Sequence, residues 1–507
     1  MRIAPGLLTV ELLDDALQCE FWASRGLIPE DPGMEGLLIH AGAADWARRR
    51  SMGEFVPIPG QIVTVRKSGH GVRPVAELSV RDRVLYRSLV RRWTDVLPKP
   101  DRSSGAYEKF LQAPLGLISP PQYVVSSDVT ACYEYIDHGI LAREVLARTG
   151  DADAVEALTD LLAGLMGRSF GLPQQSESSD VLADAYLSIV ERRLLRQGLT
   201  VWRYNDDFRI AVDSWSAALN AVDALERACR DVGLALNDLK TVIRKGGTYK
   251  AVSSRREEML REISEEVEVD LTEVVITPYD LIIIEPAEDD VADGAARNVV
   301  AEWLGLQEKM LSPSPEQTLT QKEQEKRLAL TDLLRWALSV LRGKETDEQL
   351  LTACGQILRT EQNLTPLVAK YLGKTTDAVA TIAWFEDFLN ENPYLTPWQA
   401  WWVAPALRAV DGSYAEGSSQ RRWLESVWGN PSCPEPVIAG IAFTVAQKGL
   451  ADVKGLMQVY ESMTDTGRPF VARAIGAIAP ADDTAAATLL VEDDWIKWAF
   501  ELGRKDA

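Results

Sequence analysis

Asp206 and Asp207 stand side by side in RYNDDFRI, residues 203–210, between two runs of strand formers, VW before and FRIAV after. Asn and Asp are favoured turn residues, so an isolated Asn-Asp-Asp reads as a plain hairpin turn. A third carboxylate changes that reading. Asp128 ends another apolar run, QYVVSSD, 78 residues earlier. A helical stretch separates the two, so both strands can be neighbours in one sheet. Three carboxylates at adjacent strand ends repel one another unless cations sit between them. Two divalent ions would neutralise them and orient an in-line phosphoryl displacement.

The 507 residues exceed what one core can serve, so two or three domains are expected. Apolar content of 46% and charged content of 25% are those of a soluble globular chain. No segment approaches 18 uncharged apolar residues, so no membrane span or membrane partner is expected. MRIAPGLLTVELLDDAL carries acids where a secretory signal needs its apolar run, which points to the cytoplasm. Five scattered cysteines without CxxC spacing suit a reducing compartment and argue against zinc. The histidines, at 40, 70 and 138, lie far apart and give a His-based triad little support.

A net charge of −21 looks wrong for an enzyme of nucleic acids, but it is unevenly spread. Residues 1–250 hold 30 basic and 33 acidic groups, and residues 251–507 hold 24 and 42. Residues 66–109 alone carry 11 basic and 5 acidic groups. A local basic surface therefore remains available to a polyanion.

GQIVTVRKSGHGVRPVAEL, 60–78, reads as two short strands around a Gly-rich turn. A helix follows, capped by Ser79, with Leu85, Leu89 and Trp93 on one face and Arg83, Arg87 and Arg91 on the other, solvent-facing side. The strand ending at Asp128 comes next. Residues 171–195 then read as a Gly-Pro loop followed by a long helix, with Ser178 or Ser179 as its N-cap. The hairpin follows, then an amphipathic helix over 214–233 that stops at Gly233, and a return to strand in LALNDLKTVIRK. This order predicts an α+β unit over 1–250, a mostly antiparallel sheet covered by helices on one face. Residues 251–290 read as a charged connector with short strands in VVITPYDLIIIEP. Residues 291–507 read as an all-α domain with its own tryptophan-rich core, either a degenerate helical-repeat array or an irregular bundle.

Five segments in order resemble the reverse transcriptases. RKSGHGVRPV with DRVLYRSL is similar to their fingers, SSDVTACY to the first catalytic-aspartate motif and GLPQQSESSDVLADAYL to the Leu-Pro-Gln loop and helix. RYNDDF looks like the double-aspartate hairpin, and GLALNDLKT like the lysine-bearing motif after it. The resemblance spans about residues 60–245 and implies a fingers and palm fold. It implies Asp128, Asp206 and Asp207 as catalytic metal ligands for Mg²⁺, with Mn²⁺ as the alternative. It implies Lys67 and Arg73 as triphosphate ligands, Gln174 against the incoming nucleotide and Lys240 assisting the leaving group. Tyr133, five residues after Asp128, would exclude a ribose 2′-OH. The run CYEYI also suits plain core packing of one ring, either Tyr133 or Tyr135. The family commonly has Gly after Leu-Pro-Gln, where this chain has Gln175.

A palm followed by a helical half resembles the bacterial abortive-infection and defence-associated reverse transcriptases. That implies a DNA polymerase using dNTPs and nucleic acid, RNA-directed or untemplated and protein-primed, and homo-oligomers formed through the helical domain. The alternatives are a catalytically degenerate palm serving as a nucleic-acid-binding scaffold, and a cyclase-like palm enzyme.

Overall fold

The computed structural model describes residues 1–507 except 2, 24, 70, 118, 254–289, 313–317, 392–393, 411 and 507. The strands expected in VVITPYDLIIIEP, and most of the 251–290 connector, lie outside the described residues. The chain divides into two compact units, Met1–Ala23 with Leu38–Gly60 and Ala76–Arg255, and Ser24–Leu37 with Gln61–Val75 and Arg256–Ala507.

Two strands form a hairpin, β1 (Gln61–Arg66) and β2 (Val72–Glu77). Four more form an antiparallel sheet in the first unit: β3 (Tyr123–Asp128), β4 (Thr200–Tyr204), β5 (Asp207–Val212) and β6 (Val242–Lys245), in the order β4-β5-β3-β6. β3 is central, and Val124 through Asp128 are all buried. Its Val124-Val125 pair suits a strand packed on both sides. The expected order of strand, helix, hairpin, helix and strand is present. The helices Glu177–Arg196 and Trp215–Arg230 pack on the sheet.

The opposite face is covered too, by a helix, Ser104–Gln112, that has no clear period in the sequence. Alternation puts Tyr204 and Arg203 on opposite faces of β4. Arg203 is paired to Asp184 and Glu191 of the long helix, whereas Tyr204 packs against Tyr107 and Phe110. The expectation of helices on one face is therefore corrected.

Ser79 caps the helix Val80–Arg91 by accepting from the Asp82 amide, as expected. Leu85, Leu89 and Trp93 are buried. The arginines differ from expectation. Arg83 and Arg87 both pair with the buried Glu20, Arg87 also bonds Glu177, and Arg91 pairs with Asp15. Arg87 is 3% exposed. The helix Val10–Trp22, which carries Asp15 and Glu20, packs along this face and takes up its charge. The long helix begins at Glu177 behind Ser176, so Ser178 and Ser179 are buried inside its first turn rather than capping it. Tyr86 binds Ser179 there at 2.8 Å.

The second unit is built mainly of helices. One row stacks Gln321–Val340, Thr365–Leu372, Pro397–Arg408, Glu435–Gln447 and Arg468–Ile478 in succession. Asp290–Leu311, Glu348–Thr360, Ala378–Asn390 and Ser419–Trp428 form a second row. Each helix packing on the next but one is the arrangement of stacked helix pairs. Trp303, Trp398, Tyr371 and Phe385 fill the core, which Val63, Val65 and Val75 of the β1–β2 hairpin join. The Trp398 indole N–H donates to the Leu27 carbonyl at 2.6 Å, tying Ser24–Leu37 into this unit. Among the described residues no helix is long and apolar enough to cross a membrane.

Candidate active site

The hairpin β4–β5 turns at Asn205 and Asp206. Asn205 has φ +54°, a left-handed conformation that Asn tolerates better than most residues. Asp207 opens β5 and is the register partner of Asp128 at the end of β3. The Asp206 carbonyl accepts from the Val129 amide at 3.0 Å, and the Asp128 carbonyl accepts from the Asn237 amide at 2.8 Å. Backbone bonds thus hold the hairpin tip, the strand end and the segment before β6 together.

One carboxylate oxygen of each of Asp128, Asp206 and Asp207 lies within 4.8 Å of the other two. Asp128 is 5% exposed and the other two are partly buried. Oxygens so spaced can share a hard cation at bond lengths of about 2.0–2.6 Å, so the donor set fits a divalent ion. Burial, with the charges of Asp128 and Asp207, pushes the Asp206 carboxyl up to about 6.

Lys240 Nζ donates to Asp128 Oδ1 at 3.0 Å, and Asn237 Nδ2 donates to Oδ2 at 3.4 Å. Burial works to lower the Lys240 pKa. The bond to Asp128 and the charges of Asp128, Asp207 and Asp206 outweigh it, and the net shift is upward. Arg209 lies 3.8 Å from Asp207 and over the Phe110 ring. These cations offset part of the charge of the carboxylate cluster.

Tyr133 lies in the short helix Cys132–Tyr135. Its hydroxyl donates to Asp180 Oδ1 at 2.5 Å and accepts from Arg102 Nη2 at 2.8 Å. Tyr133, Arg102, Arg203, Asp184, Asn205 and Asp206 line one narrow crevice. Asn205 Nδ2 and Arg102 Nε are buried with no hydrogen-bond partner. Tyr135 instead is 51% exposed and stacks on Phe170, so it is not the packed ring of CYEYI.

Gln174 is partly buried in the loop after Gly171, Leu172 and Pro173. The Leu172 amide donates to the Tyr133 carbonyl at 2.7 Å, and His138 Nε2 bonds the Gly171 carbonyl at 2.7 Å. Gln175 has φ +65°. The loop keeps a backbone shape that glycine favours and carries a side chain on it, at a cost of about 1 kcal/mol.

Lys67 and Arg73 belong to the β1–β2 hairpin of the second unit, with Lys67 exposed and Arg73 partly buried. The Lys67 amide donates to the Gly71 carbonyl at 3.0 Å and closes the turn. The carboxylates, Tyr133, Gln174 and Lys240 all belong to the first unit.

Sequence reading missed Arg102, Asp180 and Asn237. Asn237 had a signal, standing three residues before Lys240 in NDLK. Asp180 hid inside the first turn of a helix, and Arg102 in a stretch without periodicity.

The reverse transcriptase (RNA-dependent DNA polymerase) family model matches residues 65–271. Comparison with curated proteins finds no match. Among solved structures, telomerase of Candida albicans with a fragment of telomeric RNA is similar at a TM-score of 0.30 and 11% identity. The likeness covers 74% of this chain and 65% of that one, so the chain spans less than two thirds of that relative. Apo telomerase of Candida tropicalis is similar at 0.30 and 10%, over 83% and 73% of the two chains. Of these likenesses the family match is the informative one, since it spans Asp128, Asp206, Asp207, Gln174 and Lys240: residues 65–271 carry a reverse transcriptase domain.

Proposed function

We propose that this protein is a DNA polymerase that joins deoxynucleoside triphosphates to a hydroxyl terminus and releases pyrophosphate. The observation that carries the reading is the convergence of Asp128, Asp206 and Asp207, oxygens within 4.8 Å of one another, inside a reverse transcriptase domain. These three would hold the catalytic cations, Mg²⁺ or Mn²⁺. Such ions lower the pKa of an attacking hydroxyl and offset charge on a leaving pyrophosphate.

The chain's own groups supply the rest. Asp206, protonated near its raised pKa when no cation is bound, would give up that proton as the site fills. Lys240, held at Asp128, would assist protonation of the leaving group. Lys67 and Arg73 would clasp the triphosphate, and Gln174 would lie against the incoming nucleotide. Tyr133 would exclude a 2′-OH, so Tyr133→Ala should admit ribonucleotides. Action in bacterial antiviral defence, with homo-oligomers formed through the helical rows, is part of the same proposal.

The test is extension by the full-length protein, with Mg²⁺ and dNTPs, on a defined RNA template with a DNA primer, followed by sequencing of the products. Copied sequence supports templated synthesis. Untemplated tracts covalently joined to the protein support protein-primed synthesis. Absence of any product from folded protein, with or without template, overturns the polymerase reading in favour of a scaffold.

A further inference from the structure

Tyr133 is held more tightly than core packing requires. Its hydroxyl is the meeting point of three segments that are separate in sequence. Arg102 stands just before the helix Ser104–Gln112, Tyr133 lies in Cys132–Tyr135, and Asp180 lies in the first turn of Glu177–Arg196. The phenol donates to one carboxylate oxygen at 2.5 Å and accepts from a guanidinium at 2.8 Å. Arg102 and Asp180 also pair directly, at 3.3 Å, which closes a three-membered ring of contacts. The backbone of the same residue is fixed as well, by the Leu172 amide on its carbonyl.

A ring can reject one extra hydroxyl only if it cannot swing aside. An aromatic side chain anchored at Cα alone yields by rotation about its first two side-chain bonds. Anchoring the far end to two charged groups removes that freedom, and hydrogen bonds to ionised groups are the stronger kind. Burial and the Asp180 charge hold the phenol pKa well above its ordinary value, so the hydroxyl keeps the proton it donates.

We propose that Arg102 and Asp180 are positioning residues that lock the Tyr133 ring through its hydroxyl and thereby set the discrimination between deoxyribo- and ribonucleotides. This rests on the reading of Tyr133 as the gate against a 2′-OH. The lock acts on specificity: without it the ring stays in place on average but gives way to a ribonucleotide.

The experiment compares kcat/KM for dNTPs and rNTPs in the full-length protein and in Tyr133→Ala, Tyr133→Phe, Asp180→Ala, Asp180→Asn and the double variant Tyr133→Phe/Asp180→Ala. Tyr133→Phe and Asp180→Ala should each lower the preference for dNTPs about tenfold, the scale of one charge-assisted hydrogen bond. The loss should come mainly from faster use of rNTPs, whereas a folding defect would slow both substrates. The double variant should lose no more than either single one, because both act through one hydroxyl. Asp180→Asn keeps an acceptor and should retain most of the preference. If Asp180→Ala melts early, the near-isosteric Tyr133→Phe carries the test alone.

Wild-type preference in Tyr133→Phe and Asp180→Ala, with preference lost in Tyr133→Ala, overturns the lock and leaves the gate standing. Unchanged preference in Tyr133→Ala as well overturns both.

Discussion

Asp128 and Asp207 face one another as register partners on adjacent antiparallel strands, and each has a carboxylate oxygen within 4.8 Å of one on Asp206. Like charges directly opposite in a ladder destabilise a sheet. Asp128 ends the most buried strand of the sheet, so the fold bears a cost that Lys240 and Arg209 offset only in part.

That cost is measurable without any activity. The folded Asp206 titrates near 6 against an ordinary 3.8. A carboxyl raised in this way binds its proton more tightly folded than unfolded, so stability falls as pH rises from about 4 to about 6 and stays low above it. Asp206→Asn should therefore stabilise the cation-free protein by about 1–3 kcal/mol at pH 7.5, and by progressively less towards pH 4. Thermal melts across that range check the sign.

Cation binding should show the complementary dependence. A divalent ion needs the ionised carboxylates and must compete with protons on Asp206, and with Lys240 at Asp128. Titration calorimetry with Mg²⁺ or Mn²⁺ is expected to give weaker binding at pH 5 than at pH 7.5, with proton release on binding near pH 6. Lys240→Ala should bind the ion at least as tightly as the wild type.

Much of this site was legible in the sequence, and the reason is physical. Strand ends and tight turns place polar residues by short-range rules, so Asp128 and the Asn-Asp-Asp tip stood out against the apolar runs beside them. Ser79 and the Leu85, Leu89 and Trp93 face were readable for the same reason. Charge partners were not. Arg83, Arg87 and Arg91 have helical periodicity, but their acids lie on the helix Val10–Trp22, more than 60 residues away. The partners of Tyr133, Arg102 and Asp180, are likewise contributed by the tertiary fold. An error of two or three residues in the start of the helix Glu177–Arg196 was enough to misassign Ser178 and Ser179 as caps and hide Asp180.

The buried arginine network predicts a contrast between neighbouring turns of one helix. Arg87 is 3% exposed and bonds Glu20 and Glu177, both at 2.5 Å. Arg87→Ala leaves the buried Glu20 with Arg83 as its remaining cationic partner and should cost about 2–3 kcal/mol. Arg91 pairs with a half-exposed Asp15, and Arg91→Ala should cost about 1 kcal/mol or less. Urea unfolding of the two variants distinguishes them.

In the helical unit, Gly440 marks a close approach. A Cβ there would overlap the Trp401 indole, inside the contact between Pro397–Arg408 and Glu435–Gln447. Gly440→Ala should destabilise this unit by about 1–3 kcal/mol through overpacking, with a change in tryptophan emission. Gly305 has open space around it, and Gly305→Ala in the helix Asp290–Leu311 should stabilise by about 0.5–1 kcal/mol.

The central claim is that three carboxylates form a nucleotidyl-transfer centre, and its most direct test is incorporation of labelled dNTP by the purified protein with Mg²⁺, compared with Asp206→Asn. Incorporation by the wild type that falls at least about a hundredfold in the variant is the predicted result. Equal incorporation by both, or none by a wild type shown to be folded and cation-bound, would contradict it.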